Sequence, residues 1–177
     1  MSRRYKKFEI WMWQALPGLI TLALLIVYLI PKHISGFGQV MPLFPLMAVF
    51  FWGLTQRETM PYWLVFLLGL VMDTATGLPL GLSSLLYVLF LAMLHAQRRY
   101  IRKEGFIIKW GFFALSLAAL MALNWLLLWI FFAQFASIRP AVVQWLLSSC
   151  IYPFFHMGFG LLAEHMAARR WKLEHIR

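Results

Sequence analysis

Between residues 10 and 168 the sequence is a succession of apolar runs, interrupted only by short polar or basic clusters. The runs lie near residues 10–30, 41–55, 61–76, 80–95, 106–135 and 141–168. Only 12% of the residues are charged, against about a quarter in soluble domains. Too few polar side chains exist to clothe a water-soluble core of this size. The pattern predicts an all-α, polytopic integral membrane protein with six transmembrane helices. These form a single transmembrane domain over 1–177, with no stretch left for a soluble one.

Charge placement sets an expected orientation. All but Lys32 and Arg139 of the 16 Lys and Arg fall at the termini, near residues 57 and 109, or in a basic turn expected over 97–104, on one side of a six-span arrangement. The excess of cations on cytoplasmic loops predicts both termini inside. The net charge of +10 sits in clusters between apolar runs rather than on an aromatic-interleaved face. Anionic lipid headgroups, not nucleic acid, are therefore the expected counter-ions. The N-terminal run, preceded by Arg3, Arg4, Lys6 and Lys7, resembles a signal peptide in outline. It exceeds an h-region of roughly 7 to 15 residues and lacks an A-x-A site, so it is expected to remain as the first span. Cys150, the lone cysteine, excludes an internal disulfide.

The third and fourth runs are short. A helix starting at Pro61 reaches Asp73 after about 18 Å, and one from Gly81 to Gln97 covers about 24 Å. Both fall short of a hydrocarbon core roughly 30 Å thick. The two runs are expected to form a short broken hairpin around DTATGLPLG, residues 73–81. Lipid offers no hydrogen bonds, so the embedded turn is expected to be enclosed by the longer helices.

Polar and small residues concentrate there. Gly69, Asp73 and Gly77 fall at i, i+4 and i+8, one face of a helix that reaches Gly77. Across Pro79 and Gly81, Ser83 and Ser84 come level with Asp73, and Tyr87 lies one turn deeper. Asp73 is expected to tie the broken backbone together by accepting from backbone N–H groups or from these hydroxyls. An intramembrane carboxylate is also a candidate substrate, proton or ion site, and Asp73→Asn separates the two readings.

Further along, Ala114, Ala118 and Ala122 form a small-xxx-small row suited to close helix crossing, and Gly160, Ala163 and Ala167 give a similar stripe. Pro153 is expected to kink the last helix and free a carbonyl for a partner. Tryptophans and tyrosines near the proposed interfaces, Trp110 among them, suit headgroup anchoring; Trp125, Trp129 and Trp145 could also line a groove. Asn124 and Gln134 suit interhelical bonds. His156, Glu164 and His165 lack metal-site spacing, and no G-x-S-x-G or P-loop occurs. No catalytic residue, metal or cofactor is expected.

The string GLVMDTATGLPLGLSSLLYVLFLAMLHAQRR resembles the central signature of the rod-shape-determining membrane protein family MreD, at Gly69, Asp73, Gly77, Pro79, Leu80, Gly81, Leu82 and Tyr87 and the following basic turn. The resemblance implies a non-enzymatic inner-membrane subunit of the bacterial elongation machinery. Such a subunit binds a single-span MreC partner and, through it or beside it, the MreB filament, the RodA glycosyltransferase and a penicillin-binding transpeptidase. A fold similar to the six-helix substrate-binding components of vitamin-uptake transporters is also implied. Such a transporter component is the alternative function, and a homodimer remains open. An intramembrane enzyme using Asp73 as base lacks a second catalytic group.

Overall fold

A computed structural model describes residues 3–30, 41–132 and 138–175. Its helices are α1 (Arg3–Leu29), α2 (Phe44–Thr55), α3 (Tyr62–Thr76), α4 (Leu82–Ile101), α5 (Phe106–Phe132) and α6 (Ile138–His175), with a 3₁₀ turn over Arg57–Thr59. Each apolar run has become one helix. Of these, Phe106–Phe131 and Ile138–Ala168 are long and apolar enough to cross a bilayer, while the apolar parts of α1, α2 and α3 are shorter.

Boundaries moved where polar residues proved helical. α4 continues past His95 to Ile101 and carries Arg98 and Arg99 in its last turn. The basic turn expected over 97–104 is therefore confined to 102–105. Cations at a helix C-terminus are stabilised by its partial negative charge, which favours the extension. α6 starts at Ile138, three residues ahead of the apolar run at 141–168. Pro140 then sits in the first turn, where a missing N–H is tolerated. Pro61 is the cap of α3 rather than its first helical residue. Gln134 and Lys32 lie outside the described residues.

The core is organised around α2, which is buried from Pro45 to Leu54 and packs against α1, α4 and α6. Phe50 is its centre. The ring meets Phe113 at 5.1 Å and Tyr152 at 5.5 Å, both edge-on, and Phe90 at 6.3 Å. Edge-to-face contact sets the positive rim of one ring against the negative face of the other.

With 12 residues, α2 is about 18 Å long. Its ends therefore stop inside the bundle, where unpaired backbone groups need protein partners. At the first end, the Leu43 N–H donates to Ser148 Oγ at 3.0 Å, and Gln144 Nε2 donates to the Met41 carbonyl at 2.8 Å. Gln144 and Ser148 are four apart on α6 and share one face. At the other end, Arg98 donates from Nε to the Leu54 carbonyl at 2.8 Å and from Nη2 to the Thr55 carbonyl at 2.9 Å. A rigid guanidinium fork suits two neighbouring acceptors.

α5 and α6 are joined by a related device. Pro153 lies inside α6 and has no N–H for the carbonyl of Ser149. The helix continues, and that carbonyl accepts from Trp110 Nε1 at 2.8 Å. Near it on the same pair of helices, Trp145 Nε1 donates to the Ala114 carbonyl at 2.8 Å. Trp110 thus ties two helices together, a role beyond the headgroup anchoring expected of it.

The Arg98 clamp gives the first expectation. Arg98→Met should lower unfolding free energy by about 2–3 kcal/mol, because it leaves buried carbonyls unpaired. Arg98→Lys should recover only part, since an ammonium lacks the fork. Equilibrium denaturation in detergent micelles measures both.

Candidate functional site

The hairpin of α3 and α4 contains most of the residues singled out in the sequence. α3 runs 15 residues, about 22 Å, and ends at Gly77, whose φ of 69° is left-handed. The chain passes Leu78, Pro79 and Leu80, then enters α4 at Gly81 with φ 96°. Glycine takes these conformations without the steric cost other residues meet. A Cβ at either position would meet nothing within 4 Å, so the demand is conformational rather than one of space.

Gly69 has the opposite requirement. A Cβ there would lie 2.6 Å from Ser84 N and 2.8 Å from Ser83 C, and would also overlap Ser84 Cα. The backbones of α3 and α4 are in contact at this point, and only glycine permits it.

That approach brings Asp73, four residues on and fully buried, over the start of α4. Its Oδ2 accepts from the Gly81 N–H at 2.8 Å and its Oδ1 from the Ser83 N–H at 2.9 Å. The first N–H groups of a helix have no intrahelical acceptors and carry the positive end of its dipole. A carboxylate held there meets both needs, so Asp73 caps α4 from another helix. The acceptor role expected of Asp73 is made with backbone N–H groups, not with hydroxyls. Ser84 Oγ and the Tyr87 hydroxyl are buried without a hydrogen-bond partner. Toward the opposite end, Tyr62 OH and His95 Nδ1 lie 3.0 Å apart and join the base of the hairpin.

The described helices do not enclose the turn, which corrects the sequence expectation. Residues 74–77 are exposed, Leu80 is 71% exposed, and Leu78 and Pro79 are half-buried. The hairpin meets part of its own polar demand. Besides the Asp73 cap, the hydroxyls of Thr74 and Thr76 donate to the carbonyls of Val71 and Met72, at 2.9 and 2.7 Å. Such back-bonding hides a hydroxyl against its own helix.

The structure thus brings Gly69, Asp73, Gly77, Pro79, Gly81 and Ser83 into one construction, with Tyr87 beneath it. The other singled-out residues lie elsewhere. Ala114 is half-buried and gives its carbonyl to Trp145. Ala118 and Ala122 line an apolar cleft of about 290 Å³ with Trp125, Ala141 and Trp145. Pro153 belongs to the α5–α6 contact. Arg98, Gln144 and Ser148, which hold the ends of α2, were not singled out. Their signal was a hydrogen-bonding side chain inside or beside an apolar run, at i and i+4 for the α6 pair.

Two helices long and apolar enough to cross a bilayer, packed with a short buried helix and a self-capped hairpin, suit a helical membrane protein. Its sequence is matched from residue 8 to residue 161 by the family model of the rod shape-determining protein MreD. The chain belongs to that family, a shape-determining structural family, and its role lies in rod shape determination. No curated protein and no solved structure matches it.

Substitutions should separate the constraints. Asp73→Ala should cost about 2–3 kcal/mol, since it uncaps buried N–H groups, and Asp73→Asn, with one acceptor oxygen, about half of that. Gly77→Ala should cost about 1 kcal/mol from backbone strain alone. Gly69→Ala should cost more than Gly77→Ala, because helix backbones must separate. Thermal unfolding of the purified variants tests this order.

Proposed function

We propose that this chain is a scaffold subunit of the bacterial cell-elongation complex, held in the inner membrane by six spans with both termini in the cytoplasm. The observation that carries the proposal is membership of the shape-determining family over residues 8–161. The distribution of Lys and Arg supports the orientation, since α4 ends in Arg98 and Arg99 and is followed by Arg102 and Lys103.

The proposed work is lateral association. The polar bonds of the hairpin are made internally, which leaves its outer surface apolar: Phe66, Leu67, Val71, Leu80, Leu85 and Leu89 are exposed. We assign this surface to the transmembrane helix of a single-span MreC-type partner, with the filament, glycosyltransferase and transpeptidase of the same machinery joined through it or beside it. No observation favours a transporter component. Gly69 and Asp73 serve the partner indirectly, by fixing the hairpin that presents this surface, and the alanine cleft of α5 and α6 is a second lateral contact.

Removing the gene from the source bacterium should convert rods to rounded cells, and the intact gene should restore rods. Leu80→Gln should leave folding unchanged, because the side chain is exposed, yet reduce co-purification of a coexpressed single-span partner several-fold. Rods that persist without the gene would refute the scaffold reading. Unchanged co-purification would remove the hairpin surface from it.

A further inference from the structure

At the end of the bundle away from Arg98 and Arg102, a cavity of about 180 Å³ is lined by residues of, or capping, every helix. Leucines and methionines form its walls, apart from Tyr28, Thr76, Ser83, Tyr87, Asn124 and Gln144. Tyr87 is 4% exposed, and its hydroxyl is buried without a partner. Asn124 also has no hydrogen-bond partner among the described residues. A buried hydroxyl left unpaired is costly, and genuinely empty cavities are apolar ones. This cavity is polar on several sides, so its chemistry calls for an occupant.

The lining specifies that occupant. No Lys, Arg, His, Asp or Glu is among the described residues that line the cavity, and each oxygen of nearby Asp73 already accepts one N–H, from Gly81 or Ser83. The described lining itself offers an ion no counter-charge. Hydroxyls and carboxamides offer donors and acceptors together, and the groups best matched to such a mixed set are hydroxyls. The Gln144 carboxamide already donates to Met41 and Tyr28, which leaves its oxygen as an acceptor. The volume corresponds to about six waters at their share of the liquid, enough for glycerol or one sugar ring.

We propose that this cavity binds a small neutral polyol, as a free solute or as the headgroup of a glycolipid, with Tyr87 and Asn124 as the principal hydrogen-bonding residues. The site is independent of the scaffold role. Glycolipid binding would make the protein responsive to the lipid around it.

The test uses full-length protein purified in a detergent without a sugar headgroup. Glycerol and glucose are the free probes. Phosphatidylethanolamine vesicles with and without monoglucosyl diacylglycerol are the lipid probes. At least one probe should raise the unfolding midpoint of the wild type, and Tyr87→Phe and Asn124→Leu should each weaken that response by about tenfold, equivalent to the loss of one good hydrogen bond. A response to free glucose or glycerol identifies a solute site, and a response to the glycolipid alone identifies a headgroup site. Tyr87→Phe should also unfold no earlier than wild type when no probe is present, since it removes a hydroxyl without a protein partner. The proposal is overturned if no probe shifts the wild type, if both variants respond fully, or if Tyr87→Phe destabilises the probe-free protein.

Discussion

Backbone N–H and C=O groups at the ends of a helix have no partners of their own, and hydrocarbon supplies none. A helix long enough to reach the headgroups on both sides escapes this constraint. α2 and α3, with 12 and 15 residues, do not, and the architecture follows from how their ends and the start of α4 are satisfied. Asp73 holds the start of α4, Arg98 the end of α2, and Gln144 with Ser148 the approach to α2. In each case a polar side chain from one helix completes the backbone of another. The bonds that permit short elements also fix their positions.

Packing and polar bonding reinforce one another at the hairpin. Contact of α3 with the Ser83–Ser84 backbone depends on the missing side chain of Gly69. That contact brings Asp73 within bonding distance of Gly81 and Ser83, one turn further along α3. Each oxygen of the side chain accepts one backbone N–H of α4. The arrangement supports the structural reading of Asp73 over a transport or catalytic one. It suits a family whose role is shape determination.

Much of this was legible in the sequence, for identifiable reasons. Six apolar runs translate directly into helices because membrane-depth segments leave few alternatives. Asp73 announced itself as a charge-capable residue among aliphatic neighbours, flanked by glycines at the spacing of a close crossing. Enclosure of the turn by the longer helices is not what the structure shows: the argument from hydrogen-bond demand holds, but Asp73 meets part of that demand inside the hairpin. Arg98 was hidden by its company, since an arginine beside Arg99, Arg102 and Lys103 looks like one more cytoplasmic cation until the end of α2 is seen against it. Gln144 and Ser148 carry their meaning only in three dimensions, because their partners are more than 100 residues away in the chain. Pro153 was readable as a residue that frees a carbonyl; that Trp110 would take it was not.

Amide hydrogen exchange, resolved by residue in a lipid nanodisc, tests the Asp73 cap most directly. The amides of Gly81 and Ser83 should be strongly protected while the neighbouring exposed Leu80 amide exchanges quickly, and that protection should vanish in Asp73→Ala. Gly81 and Ser83 amides exchanging as fast as Leu80 in the wild type would contradict the account.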